Sequence, residues 1–307
     1  RLMSDTKLNV SLSGGKATSK KSKKGHKLGR AIVFLVCLIY AAVLLFPFYV
    51  IFITSLTPLV EYGSSSTFVW FPENVSFSSF YDILFKDPMI LTMGMSSIVV
   101  GFLNTVWSSA LPCIVGLFVS GLAAFAYSKL QFRGKERLFV LEITTMMIPT
   151  ATMTIPSYVF YNALGWGQSF LPLIVPGLFG SAGTIFFMRS YMASIPTETV
   201  EAAKIDGLGP FGTYCRVIAP LAKPAYIAQF IFGFVASYNN YTGPLLYLYG
   251  DPKKYTLQLA LGNIQNMFGN PNQQCAAALI AILPLLIVYI VFQRFFIEGI
   301  AVGGGKE

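Results

Sequence analysis

The chain has 307 residues, of which 54% are hydrophobic and only 11% are charged, and its mean hydropathy is +0.63. A soluble domain carries about 25% charged residues, so this composition excludes an ordinary soluble protein and indicates a chain embedded in lipid. The net charge of +9 is concentrated at the start, because residues 1–30 contain nine Lys or Arg and one Asp.

The basic segment, residues 1–30, admits two interpretations. It could bind nucleic acid, but it directly precedes an apolar run. That position favours a disordered cytoplasmic tail that sets topology and contacts anionic membrane lipid. We therefore expect no nucleic-acid partner. The single histidine lies in this tail, and the four cysteines lack paired spacing, so we expect no metal site, disulfide framework or cofactor.

Six stretches are long and apolar enough to cross a bilayer, at about 20 residues per crossing. They are Ala31–Ile53, Ser97–Ala126, Leu138–Tyr161, Leu171–Tyr191, Ala222–Tyr247 and Cys275–Phe296. In the second, Gly116, Ser120 and Ala124 recur every fourth residue, and Gly177 precedes Ser181 by four in the fourth stretch. Such spacing lets a neighbouring helix approach closely.

Loop charge sets the predicted orientation, since cytoplasmic loops are enriched in Lys and Arg. Cations cluster in the second and fourth loops, whereas the first, third and fifth loops hold only Lys86, Lys253 and Lys254. Both termini are therefore expected in the cytoplasm. The segment 54–95 would lie outside, either as a docking surface or as an interfacial cap.

The loop between the fourth and fifth stretches, about residues 193–221, has a pronounced local pattern. Glu201-Ala202-Ala203 predicts a short helix that continues to Asp206, and Gly207 and Gly209 predict a sharp reversal. Pro210 then opens a second short helix, and Pro220 ends it. The sequence predicts a helix–turn–helix along the cytoplasmic face of the membrane.

This loop resembles the signature of ABC importer permeases: Glu-Ala-Ala, three residues, Gly, nine residues, then Ile-x-Leu-Pro. Here Glu201, Gly207 and Pro220 are in register, with Val217 and Ala219 at the Ile and Leu positions. Other segments look like the carbohydrate-importing, maltose permease-like branch. They are Phe132-Arg133-Gly134-Lys135, Met147-Ile148-Pro149, Ser237-Tyr238-Asn239-Asn240-Tyr241, Asp251-Pro252-Lys253-Lys254 and Phe295-Phe296-Ile297-Glu298-Gly299.

The resemblance implies an all-α integral membrane protein with the six-helix type I importer permease fold, spanning residues 31–297, and a cytoplasmic tail at 298–307. It implies a multi-pass protein of the bacterial cytoplasmic membrane that imports a carbohydrate. Its partners would be a second permease subunit in a heterodimer, a cytoplasmic ABC ATPase dimer and an extracytoplasmic sugar-binding protein. The coupling-loop residues that would meet the ATPase are Glu201, Ala202, Ala203, Asp206, Gly207 and Pro220.

The chain is not expected to be an enzyme, because it has no Gly-x4-Gly-Lys-Ser/Thr nucleotide loop. ATP hydrolysis would occur in the separate ATPase. Glycerol phosphate or a sugar acid remains an alternative cargo, and a proton-coupled secondary transporter is a distant alternative. The latter would need several buried carboxylates or histidines, and only Glu142 lies plainly within a predicted span.

The fifth stretch carries the candidate substrate pathway. At 100° per residue, Gln229, Ser237 and Asn240 share one helical face, and Tyr238 and Asn239 adjoin it. Amides beside aromatic rings suit sugar hydroxyls and the apolar sugar face. Alternatively, the small residues of this face pack another helix and the amides bond to it. The absence of Lys or Arg well inside the spans, Arg189 apart, favours a neutral mono- or oligosaccharide, because a buried anion would want a cation.

Overall fold

A computed structural model describes the backbone of residues 22–64 and 69–304 and the side chains of residues 29–63, 69–264 and 266–293. Over these residues the chain is helical with short connections and contains no β-strand. The helices are α1 (Ser22–Leu56), α2 (Leu59–Ser64), α3 (Ser78–Phe85), α4 (Ile90–Met93), α5 (Ser97–Lys129), α6 (Lys135–Thr145), α7 (Thr150–Ala163), α8 (Leu171–Leu178), α9 (Ala182–Ala193), α10 (Thr197–Ile205), α11 (Pro210–Thr213), α12 (Ala219–Leu221), α13 (Lys223–Tyr238), α14 (Thr242–Leu248), α15 (Leu257–Phe268) and α16 (Pro271–Gly304). The all-helical prediction is confirmed for this part of the chain.

Four segments are each long and apolar enough to cross a membrane: Gly29–Leu56, Ser97–Lys129, Leu171–Ala193 and Pro271–Gln293. Two bent helix pairs raise the number of crossings to six if each pair is one crossing. Chain contacts divide the protein into two compact units, Arg1–Val50 and Ile51–Glu307. In the first unit, the side chains of residues 29–48 are exposed, as expected of a helix that has lipid for its solvent.

Three predicted spans are not single helices. The fourth, Leu171–Tyr191, is divided briefly between Leu178 and Ala182. The third, Leu138–Tyr161, is wrong as one helix, because α6 and α7 meet at 90° across residues 146–149. Pro149 lacks an N–H and has an extended backbone, so the helix cannot continue through it. The fifth, Ala222–Tyr247, is interrupted after Tyr238, and α14 begins at Thr242.

The boundaries of the predicted tails also differ. Residues 1–21 of the basic tail lie outside the described residues, and α1 begins at Ser22, before the predicted boundary at residue 30. At the other end α16 continues to Gly304, through most of the predicted tail 298–307, and residues 305–307 lie outside the described part.

Helix α5 is the centre of the second unit, since α8, α9, α13 and α15 all pack on it. The predicted close approach is confirmed: a Cβ at Gly116 would overlap the carbonyl oxygen of Gly177. Side chains also tie the helices together. The Thr105 hydroxyl on α5 accepts from the backbone N–H of Leu257 at 2.7 Å, and Asn272 on α16 donates to the Thr57 carbonyl at 2.6 Å.

Candidate functional site

The coupling loop begins with α10 and closes in a hydrogen-bonded turn at Gly207. Gly207 has φ +81°, a left-handed conformation that L side chains rarely adopt. The Gly207 N–H donates to the Lys204 carbonyl and the Leu208 N–H to the Ala203 carbonyl, both at 3.0 Å. These two bonds form a Schellman motif, which satisfies carbonyls that would otherwise be unpaired at the helix end. Gly209 has φ −69° and takes no part in the reversal.

One face of α10 is buried and the other is exposed. Val200 and Ala203 pack inside the chain, whereas Glu201, Ala202 and Asp206 are exposed. The aliphatic side chain of Ile205 is 88% exposed. Ala203 faces inward, so it is not available to a partner. The exposed face of this helix and its C-cap consists of the predicted residues Glu201, Ala202 and Asp206, together with Ile205, which was not predicted.

The second arm of the loop contains a wide helical turn. After α11, residues Tyr214–Ile218 form a π-helix that leads into α12. Pro220 lies inside α12 and is exposed, so it does not itself end the second arm. Helix α13 then leaves at 79° to the segment Pro210–Leu221.

A hydroxyl contact joins this arm to two long helices. The hydroxyls of Tyr214 and Tyr226 lie 2.6 Å apart, and the Tyr214 hydroxyl donates to the Phe118 carbonyl on α5 at 3.2 Å. Gly121 makes room for them, because a Cβ there would overlap the Tyr226 hydroxyl and lie 2.7 Å from that of Tyr214. We call Tyr214 and Tyr226 the tyrosine pair. It connects the coupling loop, α5 and α13 at one point.

A dense apolar cluster surrounds the tyrosine pair. Its buried members come from α5, α9, the coupling loop and α13: Ala124, Phe125, Met188, Met192, Ile195, Val200, Tyr214, Ile218, Ala222 and Ala225. The Lys129 ammonium, at the end of α5, donates to the Ile195 carbonyl just before α10. The loop is therefore held at its base by packing and by polar contacts from two directions.

The helical face predicted on α13 lines two adjoining cavities. Gln229 and Ser237 line a cavity of about 230 Å³ between α5, α8, α9 and α13, which we call the small cavity. Ser237 and Asn240 line a second cavity of about 450 Å³, bounded also by α5, α7, α8 and α14, which we call the hydroxyl cavity. Ser237 belongs to both and donates to the Ser109 hydroxyl at 2.9 Å. Among the described residues that line them, none is charged.

Two of the predicted pathway residues lie elsewhere. Tyr238 is 1% exposed, and its hydroxyl donates to the Ala281 carbonyl at 2.9 Å, so it is a core residue between α13 and α16. Asn239 is exposed; its side chain donates to the Val235 carbonyl and accepts from Gln258. Neither side chain lines the two cavities.

Sequence reasoning missed most of the hydroxyl cavity. Ser109, Ser157 and Thr256 contribute to it from α5, α7 and the segment before α15, which are distant along the chain. A search for hydroxyl residues inside the predicted spans would have found Ser109 and Ser157, but not their proximity. Within the described residues, no group of His, Cys, Asp and Glu side chains could hold a metal ion.

Comparisons with known proteins cover most of the chain. The family model described as "binding-protein-dependent transport system inner membrane component" matches residues 116–301. The arabinooligosaccharides transport system permease protein of Bacillus subtilis (strain 168) is 31% identical over 267 residues, which are 85% of this chain and 90% of that protein. The melibiose/raffinose/stachyose import permease protein of the same organism is 28% identical over 279 residues, 90% of this chain and 96% of that protein.

A solved structure has the same fold. It is a chain of a bacterial ABC transporter involved in the import of the acidic polysaccharide alginate. The match has a TM-score of 0.75 at 22% sequence identity and covers 89% of this chain and 98% of that one.

Proposed function

The chain belongs to the family of binding-protein-dependent transport system inner membrane components, and on that premise we propose that it carries an uncharged carbohydrate as a permease subunit of an ATP-driven ABC importer. It is a multi-pass membrane protein and a transport component; ATP hydrolysis belongs to a separate subunit. The relatives whose names specify arabinooligosaccharides, melibiose, raffinose and stachyose support carbohydrate as the cargo.

The proposed topology has six crossings with both termini in the cytoplasm. Four apolar segments and two bent helix pairs are candidates for six crossings if each pair is counted once. One of these pairs joins the second arm of the coupling loop, Pro210–Leu221, to α13, so we count α13 as the part of that pair that crosses the membrane. The distribution of Lys and Arg among the loops supports a cytoplasmic position for the coupling loop. The partners that this arrangement requires are a second permease subunit, an ATPase dimer on the cytoplasmic side and a sugar-binding protein outside.

The observation that carries the coupling role is the contrast between the two faces of α10. Its buried face is fixed by the apolar cluster, and its exposed face presents Glu201, Ala202, Ile205 and Asp206. An exposed apolar side chain beside carboxylates is suited to a cleft in a protein partner with complementary cations. Because the base of the loop is densely packed, a push on α10 is passed to α5 and α13 as a rigid displacement.

The proposed pathway follows Gln229, Ser237 and Asn240 past the two cavities. Their lining of amides, hydroxyls and small apolar residues, without a charged side chain, fits a neutral polyol. A sugar acid or glycerol phosphate would leave its anion unpaired in these cavities, at a large desolvation cost. The pathway therefore favours a neutral mono- or oligosaccharide over the charged alternatives.

The topology is tested with single cysteines and a membrane-impermeant maleimide on intact cells, in a variant that lacks the four native cysteines. Glu198 on α10 and Lys253 in the last external loop are both exposed. Lys253→Cys should be labelled from outside, and Glu198→Cys only after the membrane is permeabilised. Labelling of Glu198→Cys in intact cells would refute the orientation.

The coupling and the cargo are tested in the complete importer, by following ATP hydrolysis and uptake of labelled neutral oligosaccharides and sugar acids. Wild type should take up a neutral sugar saturably, without competition from sugar acids. Glu201→Lys reverses a charge on the contact face, and Gly207→Leu strains the turn by about 1–2 kcal/mol. Both should abolish uptake and sugar-stimulated hydrolysis while the protein remains in the membrane.

Gly209→Leu is the matched control for the turn. Gly209 is in the same loop, has a negative φ, and a Cβ there would meet nothing within 4 Å. It should retain most of the uptake. Normal uptake in both Glu201→Lys and Gly207→Leu would remove the loop from the mechanism, and uptake of a sugar acid alone would refute the neutral cargo.

A further inference from the structure

The hydroxyl cavity is lined by polar side chains, and only part of that lining is explained by helix packing, through the Ser237–Ser109 hydrogen bond. Hydroxyl side chains of Ser109, Ser157, Ser237 and Thr256 reach it from four separate segments of the chain. A cavity that existed only because helices pack imperfectly would be apolar and dry. With about 450 Å³, it lies within the range of small-molecule binding sites, about 300–1,000 Å³.

One wall of the cavity is aromatic and braced from behind. Tyr161 and Tyr247 both line it, with ring centroids 6.0 Å apart and the rings edge to face. Tyr161 also stacks on Trp166 at 5.6 Å with an angle of 8° between the ring planes. These contacts fix the ring orientations, so the wall is formed before any ligand arrives. The C–H face of a sugar ring packs on such a surface.

Thr256 provides a second, independent indication of a ligand. It is 4% exposed, and no described residue hydrogen-bonds its Oγ1. Buried hydroxyls are nearly always satisfied, and an exception calls for a partner that is absent from the chain itself. Asn240 on the same cavity accepts from the Gly243 N–H through its Oδ1, which orients its amide group.

We propose that the hydroxyl cavity is a binding subsite for one ring of an uncharged carbohydrate. Thr256, Ser157 and Asn240 would bond to the ring hydroxyls, and Tyr161 and Tyr247 would hold the apolar face. This inference rests on the proposed function and adds to it that the subunit itself holds cargo, at a site that selects neutral rings. No charged side chain lines the cavity to pair with a carboxylate or phosphate.

The first test removes the Thr256 hydroxyl and keeps the side-chain shape. Thr256→Val in the complete importer should raise the KM for uptake about tenfold, as expected for one lost hydrogen bond to cargo. The probe is whichever sugar of the set melibiose, raffinose and an arabinooligosaccharide wild type takes up. Thr144→Val is the matched control, because the Thr144 hydroxyl donates to Val140 on an exposed part of α6, outside the hydroxyl cavity. Its KM should not change.

The second test asks whether cargo occupies the cavity. Ser157→Cys, in the variant without native cysteines, should react with a small maleimide, and the transported sugar should slow that reaction at least fivefold. A sugar acid at the same concentration should not. A purely structural role for Thr256 would change stability alone and leave KM and protection unaffected.

The failures of the two proposals are distinguishable. If wild type takes up the neutral sugar while Thr256→Val has an unchanged KM and Ser157→Cys is unprotected, the subsite is refuted and the proposed function stands. If wild type takes up no neutral carbohydrate, the proposed function is refuted, and the subsite with it.

Discussion

The base of the coupling loop and the hydroxyl cavity lie in the same unit but differ in how densely their side chains pack. At the base, ten buried side chains pack together and Gly121 makes room for the two hydroxyls of the tyrosine pair, with an apolar groove of about 720 Å³ beside them. Around the cavity, the helices are interrupted at residues 146–149 and 239–241, and about 450 Å³ is left open. The first region can transmit a displacement without yielding, and the second can accommodate a solute.

The same two helices belong to both regions. On α13, Tyr226 lies at the base of the loop and Ser237 between the cavities, eleven residues further on and thus about 16 Å along the helix axis. On α5, Gly121 lies beside the Tyr226 hydroxyl and Ser109 bonds to Ser237. A movement imposed at the tyrosine pair therefore reaches the Ser237–Ser109 contact through continuous helix. Close packing at the tyrosine pair therefore allows a movement there to change how open the cavities beside Ser237 are.

The largest effect is expected from adding a methyl group at the packed end. Gly121→Ala places a Cβ on top of the Tyr226 hydroxyl, so the tyrosine pair must separate. Overpacking of this kind lowers the free energy of unfolding by about 1–3 kcal/mol. We expect the rate of sugar uptake to decrease as well. The measurement is the thermal midpoint of the purified importer together with uptake in vesicles.

The counterpart in the open region is Gly233→Ala. Gly233 lines the small cavity, and a Cβ there would lie 3.4 Å from the Cys113 sulfur, an ordinary contact. Its free energy of unfolding should stay within about 0.5 kcal/mol of that of wild type, so its thermal midpoint should hardly change. Equal destabilisation by both substitutions would abolish the distinction between a packed region and an open one.

A smaller effect is expected from removing one hydroxyl of the tyrosine pair. Tyr226→Phe loses the bond to Tyr214 and should cost about 1 kcal/mol. Because the pair joins the loop to α13, we also expect more ATP hydrolysed per sugar imported. Tyr238→Phe is the control on the same helix, since its hydroxyl bonds Ala281 in the core. It should lose similar stability and keep the wild-type ratio; an unchanged ratio in Tyr226→Phe would make the pair merely structural.

The coupling loop shows how much local sequence can determine. Glycine at 207 and proline at 210 constrain the backbone directly, so the turn and the start of the second arm were predictable and are found at those residues. The burial of Ala203 and the π-helix were not predictable, because they depend on tertiary contacts: α10 packs on α11 and the π-helix, and the π-helix packs on α5. Periodicity within one segment contains no information about its neighbours.

The broken helices mark the limit of prediction from hydropathy. Residues 138–161 lie within a helix pair that is apolar enough to count as one crossing, and the 90° turn before α7 follows from backbone geometry at Pro149 that a hydropathy average does not register. The hydroxyl cavity forms at this break, from residues more than 100 positions apart, such as Ser109 and Thr256. The polar face of α13 was visible in the sequence, but what it faces depends on the tertiary structure.

Because Tyr214–Ile218 form a π-helical turn, the geometry of the loop depends on its exact number of residues. Such a turn holds one residue more than an α-helix needs, and each residue corresponds to a rotation of about 100°. Deleting one residue there would restore an ordinary helix, but it would rotate Gly207 and α10 by that angle relative to α13. The exposed carboxylates of α10 would then point in a different direction relative to α13. The number of residues between Gly207 and Pro220 thus matters as much as their identity, because it sets the orientation of α10 relative to α13.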